Sequence, residues 1–203
     1  SPRVTVIELL WWTINNVIIQ AFLGWSKLEV ILLETCCVLG GPNALEPLVD
    51  SGRGVCDRVK RLSLWTWDGI SKRPSFFDSF LSSFRNLQAV TLNLQAFTQA
   101  RRDDPSSRVE LEGGFIILAL STIKTLQRVA LYEMKSARVN LAGTLPTLFR
   151  NCALTSFKVA ECLDIIEDDL GCINAMPSHA SCETLETFDW GARASGESVA
   201  RFV

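Results

Sequence analysis

Leu126-Gln127-Arg128-Val129-Ala130-Leu131 reads as a leading leucine, a polar residue, and then apolar side chains at alternate places. The phrase returns as Leu28-Glu29-Val30-Ile31-Leu32-Leu33, Leu87-Gln88-Ala89-Val90-Thr91-Leu92, Leu154-Thr155-Ser156-Phe157-Lys158-Val159 and Leu185-Glu186-Thr187-Phe188-Asp189-Trp190. A looser copy is Val59-Lys60-Arg61-Leu62-Ser63-Leu64, and Val4, Ile7 and Leu9 supply a seventh. A period of two is the pattern of a strand with one face in a core. Alternation alone is common in a chain that is 48% hydrophobic. A leading leucine, a polar residue behind it and a return every 24 to 39 residues are not common, and together they mark an internal repeat.

The segments between the phrases carry a different period. Phe76 to Phe84 sets Phe77, Phe80, Leu81 and Phe84 at helical spacing ahead of Leu87, and Phe115 to Ile123 does the same ahead of Leu126. Leu145 to Phe149 precedes Leu154, and Asn16 to Phe22 precedes Leu28. Each unit is thus predicted to hold one strand and one helix, too little to bury its own apolar faces, so that neighbours must stack. The expected strands lie near residues 4–9, 28–33, 59–64, 87–92, 126–131, 154–159 and 185–190. Stacked about 4.8 Å apart, they make one curved parallel sheet with helices on its other side.

On these residues the chain resembles a leucine-rich-repeat protein with long, helix-containing units of the ribonuclease-inhibitor-like kind, over roughly residues 4–190. The resemblance implies an α/β solenoid, strands concave and helices convex, as a single domain over 1–203. It also implies an Asn or Cys after each strand, bonded to backbone in the turn. Cys36 and Cys162 fall at that place, whereas Trp67, Gln95, Met134 and Arg193 depart from it. The irregular spacing and Leu64-Trp65-Thr66-Trp67-Asp68 further resemble the repeat regions of fungal F-box proteins. That likeness implies a substrate receptor joined to a ubiquitin-ligase adaptor through an F-box, and no F-box is visible in these residues. The opening Ser-Pro-Arg is expected of a piece of a longer chain.

Composition narrows the classes. Twenty basic and 22 acidic residues are interspersed, so no global field recruits nucleic acid or an anionic membrane. Seven cysteines form no CxxC pair and no glycosylation sequon occurs, which favours the cytoplasm or nucleus over a secreted setting. Residues 9–26 are uncharged, near the length of a spanning helix, but Asn15, Asn16 and Gln20 interrupt them; a buried strand plus helix is expected there.

Catalytic chemistry has little to stand on. His179 is the one histidine, in Pro177-Ser178-His179-Ala180-Ser181-Cys182, and reads as a solvated loop rather than a Cys-His pair or half a zinc site. Cys152, Cys162, Cys172 and Cys182 recur every ten residues, yet the repeat gives Cys162 a turn and Cys152 a helix end. Gly52-Arg53-Gly54 lacks the third glycine of a dinucleotide fingerprint, since Asp57 stands in its place. Asp103-Asp104 and Asp168-Asp169 fall in polar connections, and Gln99 to Glu110 reads as a projecting insertion. No catalytic residue, metal or cofactor is assigned, and the chain is expected to be a non-catalytic scaffold for a protein partner.

If the Leu, Ile and Val of each phrase face inward, the residues between them face the partner. This rule selects Arg61, Trp65, Asn93, Arg128, Tyr132 and Lys158, with Ser63, Ala89, Thr91, Ala130, Ser156 and Ala160 among them. Aromatic and basic side chains are the types enriched where interfaces concentrate their energy. Val6, Leu10, Val30 and Leu32 make the N-terminal end of the same face apolar, as though an upstream segment covered it.

Overall fold

The computed structural model describes residues 3–38, 47, 55–65, 80–93, 114–132, 141–160 and 183–190. Their strands are β1 (Val6–Leu10), β2 (Thr13–Ile14), β3 (Val30–Glu34), β4 (Cys37–Val38), β5 (Arg61–Trp65), β6 (Ala89–Asn93), β7 (Arg128–Tyr132), β8 (Ser156–Ala160) and β9 (Thr187–Trp190). The helices are α1 (Asn16–Gly24), α2 (Val55–Arg58), α3 (Gly114–Ser121) and α4 (Leu141–Asn151). The molecule is an α/β protein. Seven strands form one sheet in the order β1-β3-β5-β6-β7-β8-β9, every pair parallel, and β2 pairs with β4 beside it. The sheet follows chain order throughout, so it lacks the reversal of order at which doubly wound sheets bind nucleotides.

All seven predicted strands are present, each beginning two residues later than expected. The leading residue stays outside the ladder because its amide bonds locally: Leu28 N–H donates to the Trp25 carbonyl at 3.3 Å, Leu87 to Phe84 at 3.2 Å and Leu126 to Ile123 at 3.1 Å. Its side chain is sealed under the entry to the strand, with Leu28, Val59, Leu87, Leu126 and Leu154 all at 0% exposure. The polar residue behind it forms a column of its own. The Glu29 amide donates to Thr5, Lys60 to Glu29, Gln88 to Lys60, Gln127 to Gln88, Thr155 to Gln127 and Glu186 to Thr155, at 2.7 to 2.9 Å. A side chain at this rim points to water, which explains why the position is polar. Hydroxyls reinforce the stacking: Thr125 donates to the Leu87 carbonyl at 2.9 Å and Thr184 to Leu154 at 2.7 Å, each one residue ahead of its own phrase.

Beyond the strands a second feature repeats. Trp11 and Thr35 follow β1 and β3, and both hold a left-handed backbone, φ 61° and 53°. That conformation costs an L-residue about 1–2 kcal/mol, offset here by bonds from Trp11 N–H to Glu34 (3.0 Å) and from Thr35 N–H to Trp65 (2.7 Å). The chain turns into β2 and β4, where Thr13 pairs with Cys37 and Ile14 with Val38. Cys36 takes the turn role the resemblance implied, its thiol donating to the carbonyls of Leu9 at 3.5 Å and Glu34 at 3.4 Å. Cys162 lies outside the described residues.

One continuous core joins the inward strand residues to the helices. Ile31 and Leu33, Leu62 and Leu64, Val90 and Leu92, Val129 and Leu131, and Phe157 and Val159 are all nearly fully buried. From the helix side, α1 brings Ile19, Phe22 and Leu23, α3 brings Ile116, Ile117 and Leu120, and α4 brings Leu145, Leu148 and Phe149. These are the i, i+3, i+4 stripes that one face of a helix presents. Asn15 caps α1, its side-chain oxygen accepting the Ile18 amide at 3.1 Å. The uncharged run 9–26 is thereby divided between the end of β1, β2 and the nine residues of α1. No helix among the described residues is long and apolar enough to cross a membrane.

Candidate partner-binding face

The core consumes one face of the sheet and leaves the other to the residues between the inward ones. Register places them in transverse rows. Val6, Val30, Arg61, Ala89, Arg128, Ser156 and Thr187 form the first; Glu8, Leu32, Ser63, Thr91, Ala130, Lys158 and Asp189 form the second. The third runs from Leu10 through Glu34 to Trp65 and, beyond, from Asn93 through Tyr132 to Ala160. All six predicted contact residues therefore belong to this one face.

They are not equally accessible. Trp65 on β5 and Tyr132 on β7 stand two strands apart, yet their ring centroids are 4.6 Å apart at an interplanar angle of 50°. The rings lean toward one another across β6, at the level of Asn93. Asn93 is 1% exposed. Asn93 is thus corrected from a surface contact to a buried residue of the open face, in keeping with an aromatic pair that closes above it. Ser63 and Ala89 are also enclosed, at 7% and 8%, so the middle of the face presents its longer side chains rather than its backbone.

Lys158 extends the aromatic pair. Its Nζ lies 5.8 Å from the Tyr132 ring centroid, within cation–π reach, and 2.8 Å from the Asp189 carboxylate. The hydrogen bond to Asp189, then the Tyr132 oxygen and the Asp189 charge, hold the amine's pKa above its ordinary value. Trp65, Tyr132, Lys158 and Asp189 accordingly form one chain of contacts from β5 to β9. The aromatic members are half-buried and supply a stiff apolar surface, whereas Arg61 and Arg128 are exposed in the first row.

At the N-terminal end, Val6 and Leu10 are 52% and 53% exposed, and Trp11 and Trp12 are 74% and 55% exposed. The expected apolar end is present, with Val30 and Leu32 half-buried. The two tryptophans enlarge it. Alternation does not single them out, because they lie past the strand, where it no longer assigns a face.

A cleft of 370 Å³ lies at the opposite rim, where the chain enters the strands, lined by Lys27, Glu29, Asp57, Arg58, Lys60 and Asn86 among others. Its polar groups already serve the turns: Lys60 pairs with Glu29 at 3.1 Å, and the Asn86 amide donates to the Asp57 carbonyl at 2.7 Å. It is a seam between stacked turns, at the amino ends of the strands, whereas open α/β sheets bind ligands at the carboxyl ends.

Three of the four described cysteines, Cys36, Cys56 and Cys152, are buried and structural in character, and Cys37 is exposed. Burial pushes the Cys56 thiol up to about 12 and the Cys152 thiol up to about 11, and it raises Cys36. Cys152 directly follows α4, as expected, and its thiol donates to the Ile123 carbonyl at 3.4 Å. Among the described residues no three His, Cys, Asp or Glu side chains gather as a metal would need. His179, Cys172, Cys182, Gly52 to Gly54, both aspartate pairs and Gln99 to Glu110 lie outside the described residues. No protein-family profile and no curated protein sequence matches the chain.

Proposed function

We propose that this chain is a leucine-rich-repeat scaffold, non-catalytic, that holds a protein partner on the open face of its sheet. The observation that carries the reading is the Trp65–Tyr132 pair, two large aromatic side chains held against one another on the face away from the helices. A core residue would turn such rings inward; here they stand half-buried on the face away from the helices, with surface left for a partner to cover. The solenoid form is supported by the columns of equivalent bonds, in which each polar rim residue and each threonine ahead of a phrase repeats the contact of the one before. Four described cysteines are free, which suits a reducing compartment such as the cytoplasm or nucleus.

The narrower reading, a substrate receptor of an F-box ubiquitin ligase, rests on the style of the repeats. Both readings meet in one experiment: affinity capture from cell extract, comparing the native protein with a Trp65→Ala, Arg128→Ala, Tyr132→Ala variant of unchanged circular dichroism. A client recovered by the native protein and lost by the variant supports the scaffold reading. Cullin-ligase subunits recovered by both forms support the receptor. Clients held equally by both forms would move the binding surface to the helices and sink the proposal.

A further inference from the structure

Arg61 and Arg128 occupy the same transverse row, joined in register through Ala89 between them. Two strand spacings separate them, about 10 Å from backbone to backbone. Ala89, between them, has no side chain beyond Cβ and is itself 8% exposed, so a carboxylate between the arginines would sit above it rather than against it. The other cation on the strands of this face, Lys158, is matched by Asp189, and Lys60 at the rim is matched by Glu29. Among the described residues neither Arg61 nor Arg128 makes an ion pair. The acids of the open face stand elsewhere, Glu8 on β1 and Glu34 on β3, with Asp189 engaged on β9. Among the described residues the face is thus segregated, with its unmatched positive charge concentrated on β5 and β7.

We infer that the open face takes an extended acidic peptide segment of its partner, one Asp or Glu side chain seated between Arg61 and Arg128. The inference rests on the scaffold reading and names the chemistry of the occupant. Two guanidinium groups can converge on a carboxylate placed midway, because each is a planar fork of donors on a long stem and a carboxylate accepts from several directions. The aromatic pair fixes the second half of the pattern. Trp65 lies four residues along the strand from Arg61, about 13 Å away. A segment lying extended along the strands therefore places an apolar or aromatic residue against Trp65 and Tyr132 about four positions from its acidic residue. A basic segment would meet the arginines with like charge, which is a ground for exclusion as well as a ground for affinity.

The test is selection of random twelve-residue peptides displayed on phage against the whole chain, followed by titration of the leading peptide. The expected result is enrichment of Asp or Glu about four positions from an aromatic or large aliphatic residue. Changing that acid to its amide is expected to weaken binding about tenfold, as loss of a charge-assisted hydrogen bond does. An Arg61→Glu, Arg128→Glu variant with native circular dichroism is expected to enrich Lys or Arg instead. Enrichment without an acidic residue, an acidic preference kept by the charge-reversed variant, or no enrichment at all would overturn the inference. Peptides without an acid that are nonetheless lost on Trp65→Ala, Tyr132→Ala would overturn it and leave the binding face intact. Peptides indifferent to both pairs would overturn the face as well.

Discussion

Trp65 and Tyr132 meet across a strand that neither belongs to, and at their level on that strand lies Asn93, which alternation assigns to the surface and the structure buries. Period two names the face to which a side chain belongs; it does not name what a neighbour two strands away will do above it. The same limit separates Lys158, whose charge is already matched by Asp189, from Arg128, whose charge is not. Since the folded Lys158 amine holds its proton above the ordinary 10.5, its contribution to stability is full below that pH and is lost as pH rises through the folded value. The stability gap between native chain and a Lys158→Met variant, from urea titrations, is therefore expected to stay flat around neutral pH and to close above 10.5. Added salt is expected to narrow it, because the pair is exposed. Thiol chemistry offers a second check at this scale. Cys37 is exposed and Cys56 and Cys152 are buried with raised pKa values, so iodoacetamide at pH 8 is expected to label Cys37 in the native protein and to leave the other two unmodified until urea unfolds it.

At the scale of the element, the repeated phrase located every strand of the sheet, and its first two places mark the entry to the strand rather than the strand. The leading residue is apolar because it is sealed below the rim; the second is polar because it stands on it. Both facts depend on the helix end that precedes them, which a strand pattern does not contain. Helical spacing found α1, α3 and α4, and Phe80, Leu81 and Phe84 lie at the core-facing end of a fourth predicted helix, with helical backbone described at 80–82. It could not find α2, β2 or β4, since one turn of helix and two residues of strand carry no period. The caps can be tested directly. Asn15→Ala removes the acceptor of the Ile18 amide and is expected to cost about 1 kcal/mol in urea unfolding. Gly24→Ala is expected to stabilise by about 0.5–1 kcal/mol, because nothing lies within 4 Å of the added Cβ and alanine loses less entropy in a helix.

For the whole molecule, one continuous core and a sheet in chain order make each unit depend on its neighbours. Leu126 sits at 0% exposure beneath the entry to β7, and Leu126→Ala is expected to cost about 2–5 kcal/mol as transfer energy and cavity combine. The edge is different in kind. Val6→Lys, Leu10→Lys alters residues that are half in water and is expected to leave the urea midpoint nearly unchanged while reducing light scattering at high concentration, as charge on an edge strand does. The open face itself is most directly tested with a photoreactive benzoyl-phenylalanine, placed in turn at Thr91, half-buried at the centre of that face, and at Leu118, 41% exposed on α3. After capture and illumination, a covalent adduct to the partner from position 91 and none from position 118 is the expected result; an adduct from 118 alone would contradict the account.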